Sequence, residues 1–428
     1  MSLFGSLFTG VSALSAQSKS MGMISNNIAN VNTTGYKRTT AHFSTLVSDA
    51  GRSSGFSTGG VRANAQTTVG QQGLLQQSNS TLDVGISGNG FFVVERDTGD
   101  LQEKLYTRAG SFSEDSRGYL KNSSGFYLMG WPVDSSGNIP AASSDISSLQ
   151  PVEVSFLGGL TRPTSDAQMG LNLDARQAAY VPPAPPAVGV PDVQFSRGMR
   201  VYDSLGASHD ILLEFTKNGT NDWDLQIRDE AGASILNGGT PFSITFDGDG
   251  TITDALLTAG KLNIPMTGAG GAGINWGNGS ELQSIDLDLT SVTQFSGPYN
   301  VVYVDQNGAE LGLRTGVSID KEGYVVASFS NGQLSKLYKL SMATVSKPNG
   351  LEQQSGNVYS QSSDSGSYNL KEPGQGGAGQ VVPSTLEASN VDLADEFSKM
   401  IVTQRAYSAG TKVITTSDQM LTELLQIR

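Results

Sequence analysis

Two stretches of this chain and its two histidines hold residue types that could do chemistry. Gly268-Ala269-Gly270-Gly271-Ala272-Gly273 matches the spacing G-x-G-x-x-G, whose backbone amides cradle the phosphates of a dinucleotide. That chemistry needs a strand before the loop and a helix after it, so that phosphate meets a helix N-terminus. Pro265 precedes this loop and Asn275-Trp276-Gly277-Asn278-Gly279 follows it, so it reads as a plain loop. Asp247-Gly248-Asp249-Gly250-Thr251 opens like a calcium loop, but the positions that need Gly and Glu hold Ile252 and Thr258. A hairpin turn is the better reading. His42 and His209 are the only histidines and cysteine is absent, which excludes multi-histidine sites, Cys-ligated metals and disulfides. A Ser/His/Asp triad stays open in principle, yet no G-x-S-x-G elbow supports one. No catalytic residue, cofactor or metal is expected.

Composition points the same way. The net charge is −13, and no clustered run of Lys and Arg offers itself to phosphates, so nucleic acid is not an expected partner. No stretch of about 18 apolar residues predicts membrane insertion. Charged residues make up only 16% of the chain, which suits extensive protein contact better than free diffusion. The first Lys is Lys19, and Leu3 to Leu14 is broken by Gly5, Ser6, Thr9, Gly10 and Ser12. A cleaved secretory signal is therefore not expected.

The elements that could organise such a chain lie at its ends. Phe4, Leu7, Val11, Leu14, Ser18, Met21, Ser25 and Ile28 alternate in steps of three and four, the period of a heptad seam. Asn30 to Gly35 supplies residues that tolerate the left-handed conformation, predicting a helix end near Asn30. A second seam runs Leu393, Phe397, Met400, Gln404, Tyr407, Thr411, Ile414, Asp418, Leu421, Leu425. Ser389 to Asp392 offers an N-cap for it, and Asp395 and Lys399 stand one turn apart in the favourable order. With no other helix in evidence, the two should pair as a coiled coil. Burying six apolar residues returns at most about 1.5–3 kcal/mol each, against about 1 kcal/mol per residue ordered. Such a pair is marginal alone, and we expect loose ends in the monomer that become ordered when many copies bury them.

Between the helices the chain reads as β. Phe91-Phe92-Val93-Val94, Phe126-Tyr127-Leu128-Met129 and Tyr299 to Val304 are short apolar runs between turn signals, and Asn307-Gly308 predicts a hairpin turn. The pattern S-x-D-x-x-G-Y-aliphatic occurs at Ser113–Leu120 and again at Ser318–Val325. Either one domain is built from both sides of an insertion, or two common turns coincide. Pro182 to Pro191 reads as an extended surface loop. The expected fold is mainly β with α-helical termini. Its parts are a terminal helical domain (1–32 and 386–428), extended linkers (33–70 and 367–385), an inner β domain (71–147 and 296–366), and an outer β domain (148–295) inserted in the inner one.

Ser25-Asn26-Asn27-Ile28-Ala29-Asn30-Val31-Asn32-Thr33-Thr34-Gly35-Tyr36-Lys37-Arg38 resembles the signature that bacterial flagellar rod and hook proteins carry after their first helix. Leu386 to Leu393, with Met400 to Tyr407, resembles their shared C-terminal segment. Leu82 to Phe92 and Tyr106 to Phe112 are also similar to family segments, in matching order. The motif positions carried over are Asn30, Asn32, Thr34, Gly35, Tyr36, Asn390, Gln404 and Arg405. Length, the large β insertion and Val201-Tyr202-Asp203-Ser204-Leu205-Gly206 resemble the hook branch. The resemblance implies a self-assembling tube outside the cell, exported through the flagellar apparatus without a cleaved signal. Terminal helices would line its channel, and it would bend as a universal joint between motor and filament. Rod and hook–filament junction proteins, the hook cap and the export apparatus are the implied partners. A distal rod or junction subunit is the alternative, and a secreted β-rich enzyme or adhesin is the alternative of another class.

Overall fold

The structure is a computed structural model. It describes all residues except 1–2, 47–58, 99–103, 135–136, 140–144, 156–158, 182–192, 237–239, 254–260, 265–273 and 427–428. The glycine-rich loop at 268–273 and the proline-rich stretch therefore lie outside the described residues. Helix α1 spans Leu3–Ala29 and helix α2 spans Leu393–Gln426, and they pack on each other. Between them the chain is almost wholly strands and turns. It divides into two compact units: unit 1 comprises 1–156, 316–327 and 334–428, and unit 2 comprises 157–315 and 328–333.

Unit 1 is built on a sheet whose central strand, Phe91–Glu95, is buried along its whole length. That burial explains why its sequence is a continuous apolar run rather than an alternating one. Phe91, Val93, Tyr106, Met129, Trp131 and Tyr359 form the heart of its core. The segments expected to be linkers are paired instead. Thr39–Leu46 and Gly60–Thr67 form an antiparallel ladder lying against α1. Gln380–Pro383 pairs with Val84–Ser87, and Thr385–Glu387 pairs with Leu75–Gln77. These strands are rich in Thr, Gln, Asn and Ser, so hydrophobic alternation could not reveal them.

Unit 2 is a β unit with its own core. One sheet is a meander of Phe195–Tyr202, Ser208–Gly219, Asp222–Arg228 and Phe242–Thr245. The other runs Lys261–Ile264, Ile285–Phe295, Asp166–Asp174, Asn300–Gln306. Asp166–Asp174 and Ile285–Phe295 pair in parallel, which needs a long crossover, and the meander lies within it. Trp223, Phe215, Leu213, Leu171 and Leu287 are fully or almost fully buried between the two. Asn300–Gln306 pairs antiparallel with Asp166–Asp174, so the inserted unit extends to residue 315 rather than 295.

One turn recurs throughout. At Asp115, Asp134, Asp203, Asp229, Asp247 and Asp320 the sequence reads D-x-x-G-x. In each, the Asp amide donates to the carbonyl four residues on, and the Gly amide donates back to the Asp carbonyl. The six glycines have φ between +78° and +83°, the left-handed region where a side chain is disfavoured. The repeat at 113–120 and 318–325 is thus two instances of a general turn, both in unit 1. Asp247 is a third case: its carboxylate accepts from the amides of Asp249 and Thr251, which makes it a turn and not a calcium loop. Asn307-Gly308 departs from expectation. It joins strands that pair with different partners, and Asn307 Oδ1 accepts from the amides of Ser165 and Asp166. The side chain ties two segments together instead of closing a hairpin.

Candidate assembly site at the paired chain ends

The two helices run antiparallel. A Cβ added to Gly10 would lie 2.9 Å from Ile414 Cγ1, and one added to Gly410 would lie 3.2 Å from Leu14 Cδ2. Farther along, Asn27 Nδ2 donates to Glu396 at 3.0 Å. The contacts between the helices run through Gly10, Leu14 and Asn27 on α1 and Glu396, Gly410 and Ile414 on α2, and the buried positions of the two helices include the small or polar Ala16, Ser20, Thr403 and Ser417. Of the seam residues read from the sequence, Leu14 lies against Gly410 and Ile414 against Gly10. Leu7, Met21, Ile28, Met400 and Leu421 are half-buried. Phe4, Val11, Leu393, Phe397, Tyr407 and Leu425 are exposed. Gly10 and Gly410 leave room for Ile414 and Leu14, while the exposed periodic residues face away from the pair.

The signature after α1 is a set of connections. Asn30 caps the helix: its Nδ2 donates to Asn26 O at 2.9 Å, and its Oδ1 accepts from Thr33. Gly35 has φ +68°, and a Cβ there would lie 2.7 Å from Ala109 N, so both backbone and space require glycine. The Thr34 carbonyl accepts from Asn357. The Tyr36 hydroxyl donates to Asn27 Oδ1, which also accepts from Thr39 N at 2.9 Å. Asn390 Oδ1 accepts from Arg38 N at 2.7 Å, while its amide reaches Gln71 O. Arg38 pairs with Asp395 at 3.2 Å, and Asp395 pairs with Lys399 at 2.7 Å. Asp392 caps α2 by accepting from the amides of Ala394 and Asp395. Asn32, Gln404 and Arg405 are exposed and stand outside this set.

At its centre is a buried group of charges. Lys37 ion-pairs with Glu387 Oε1, and both side chains are wholly buried. Arg108, almost wholly buried, donates to Glu387 Oε2 at 3.1 Å and to Gly88 O at 2.8 Å. Lys37 also donates to Gln71 O at 2.6 Å, and Glu387 Oε1 accepts from Gly73 N at 2.8 Å. Burial pushes the Lys37 ammonium below its ordinary range, with Glu387 opposing that shift. It does the same to Arg108. The neighbouring Tyr359 phenol is pushed far up, chiefly by burial. Lys37, Arg108, Glu387, Asn27 and Glu396 are the residues that sequence reasoning missed. Lys37, Asn27, Arg108 and Glu387 all lie inside the segments singled out, so the available signal was an ionisable or amide side chain in a frame of Gly, Asn and apolar residues.

Nothing in this arrangement activates a nucleophile or holds an ion, and no cluster that could bind a metal occurs among the described residues. His209, which could have served a triad, bonds to the buried Asp203 at 3.0 Å and stacks on Trp276 at 3.9 Å between ring centroids. No helix among the described residues is long and apolar enough to cross a membrane. A pair of terminal helices tied into a β unit by buried charges, with large apolar side chains facing outward, defines a structural subunit of an axial assembly.

The comparisons give that class its family. Residues 7–37 match the model "Flagella basal body rod protein", and 382–427 match "Flagellar basal body rod FlgEFG protein C-terminal". Residues 85–155 match "Flagellar hook protein FlgE/F/G D1 domain", and 172–309 match "Flagellar basal body protein FlaE D2 domain". The chain is 34% identical to the flagellar hook protein FlgE of Rhizobium meliloti over 431 residues, covering 100% of each. It is 32% identical to that of Escherichia coli, covering 98% of each. Its fold is similar to the crystal structure of Helicobacter pylori flagellar hook protein FlgE2, with a TM-score of 0.50 at 14% identity, over 73% of this chain and 100% of that one. The chain belongs to the flagellar hook protein family, a family of structural subunits and not of enzymes.

Proposed function

We propose that copies of this chain polymerise into a curved, flexible tube outside the cell, which acts as a universal joint between motor and filament. The observation that carries this reading is the outward apolar surface of the paired helices. Phe4, Phe8, Phe397, Ile401, Val402 and Leu425 are each more than half exposed. Apolar surface on that scale marks a site of association. Residues Phe4, Leu7, Val11, Leu14, Met21, Ile28 and their counterparts on α2 divide the work: some hold the pair together, and the exposed ones hold the polymer. The motif residues around Asn30–Tyr36 and Asn390 fix the helices to unit 1. Unit 2 supplies contacts between neighbouring copies that change as the tube bends. Rod and junction proteins at the tube's two ends, a cap during growth and the flagellar export apparatus complete the partner set. Electron microscopy of the purified chain tests this, with Phe397→Ser and Ile401→Ser together as the comparison. The expected result is curved tubes from the unaltered chain and none from the double variant. Straight rigid rods would refute the hook reading in favour of a rod subunit.

A further inference from the structure

Beside the helix pair lies a groove of about 440 Å³ that the described residues leave unfilled. Met23 and Ile24 of α1, Ala41 and Phe43 of the strand Thr39–Leu46, and Val402 and Ala406 of α2 supply its apolar walls. Phe43 is 49% exposed and Val402 67%. Among the described residues, the charged side chains lining it are Glu396 and Lys399, which pair with each other at 3.1 Å. Its size suits a few large side chains rather than solvent alone.

The same chain carries a matching projection. Phe4, Phe8 and Val11 are 73%, 62% and 56% exposed and stand at i, i+4 and i+7, the spacing by which one helix face anchors in a groove. No charged side chain occurs before Lys19, so none on this face must be desolvated on docking. The projection cannot enter its own groove. Gln17, Ser20 and Ile24 of the same unbroken helix line that groove, and Phe8 stands about 12 residues from Ser20, about 18 Å at 1.5 Å per residue.

The geometry points to a second copy of this chain as the occupant: the Phe4–Phe8–Val11 face of one copy seats in the Met23–Phe43–Val402 groove of the next. This inference rests on the polymer reading above and says which surfaces meet. Projection and groove are different surfaces of one chain, so the contact is heterologous. Such contacts propagate into open helical arrays unless the rotation happens to close a ring. If neighbouring α1 helices run parallel, the contact offsets them by about 18 Å along their axes.

The test uses the assembled polymer of the full chain. A photoreactive benzophenone side chain replaces Phe8, and the adduct is mapped by mass spectrometry. The expected adduct joins two chains and falls on residues 39–43 or 396–406. A reciprocal probe at Phe43 should label residues 3–11 of another chain, which covers the case where the Phe8 probe blocks assembly. Because the natural chain lacks cysteine, Phe8→Cys combined with Val402→Cys should yield an oxidised ladder of dimers and higher species absent from either single variant. Phe8→Ala should raise the critical concentration for polymerisation by roughly tenfold to a hundredfold. Tubes that form with both adducts elsewhere overturn this contact and leave the polymer reading standing. An unaltered chain that forms no tubes overturns both.

Discussion

At the scale of single residues, Glu387 is the group on which most depends. It pairs with Lys37 and Arg108 at once, where neither cation has more than marginal access to water. Glu387→Gln keeps the shape but leaves two buried positive charges facing a neutral amide. Removing one partner from a buried pair costs about 3–5 kcal/mol. That corresponds to a drop of about 6–20 °C in the melting temperature of unit 1, measurable by calorimetry. A drop under about 2 °C would show that the network adds no stability. Asp203 makes a pH-dependent prediction in unit 2. Burial alone pushes its carboxyl up, but hydrogen bonds from Asn278, His209 and the amides of Ala207 and Leu205 outweigh that and hold it below the usual range. A depressed carboxyl contributes stability that is complete above its unfolded value of about 4 and is lost as pH falls through the folded value. The unfolding free energy of unit 2 should therefore decline below about pH 4, and Asp203→Asn should flatten that decline in acid titrations followed by tryptophan fluorescence. The sequence frame of these residues was legible, since Lys37, Arg108 and Asp203 all lie in segments with recognisable spacing. Their pairing was not, because Lys37 and Glu387 are far apart along the chain and only the folded sheet brings them together.

At the scale of elements, the helices were legible from steps of three and four, and their caps from Asn30 and Asp392. Which face of each helix meets the other was not. Heptad reasoning pairs large apolar side chains with one another, whereas here Leu14 packs on Gly410 and Ile414 on Gly10, and the glycines carry no hydrophobic signal. The contrast between two glycines of α1 tests this. Gly10 faces Ile414, so Gly10→Leu should force the helices apart and cost about 1–3 kcal/mol. Gly22 faces open space, so Gly22→Ala should stabilise the helix by about 0.5–1 kcal/mol. Thermal melts followed by circular dichroism at 222 nm should therefore move in opposite directions for the two variants. A loss at Gly22 equal to that at Gly10 would mean that glycine serves flexibility and not close approach. The strands show the same division. Phe91–Glu95 announced itself by composition, and the six D-x-x-G turns share a readable pattern. The polar ladder of Thr39–Leu46 with Gly60–Thr67 did not, because its support comes from α1 and not from its own alternation.

For the whole molecule, the insertion of one β unit into another was readable as a gap between two similar stretches, but its far boundary was not. Residues 296–315 join unit 2 because Asn300–Gln306 adds to the edge of Asp166–Asp174, a pairing between strands more than a hundred residues apart in the chain. The corrected boundary defines a sharper deletion. The core of unit 1 draws on Val69, Phe91, Tyr106, Trp131 and Tyr359, and none of its members comes from 157–315. Both helices, the buried charges around Glu387 and the groove beside Phe43 also lie in unit 1. A chain in which 157–315 is replaced by a short Gly/Ser linker should therefore retain its fold, with helix content preserved by circular dichroism. It should also still polymerise, because every surface assigned to the tube contact remains. What it should lose is regular curvature, if contacts made by unit 2 are what adjust between neighbours as the tube bends. Electron microscopy separates the outcomes. Straight tubes place bending in unit 2 and tube formation in the paired ends. Curved tubes move the bending into unit 1. A folded chain that forms no tubes would mean that unit 2 helps to build the wall itself.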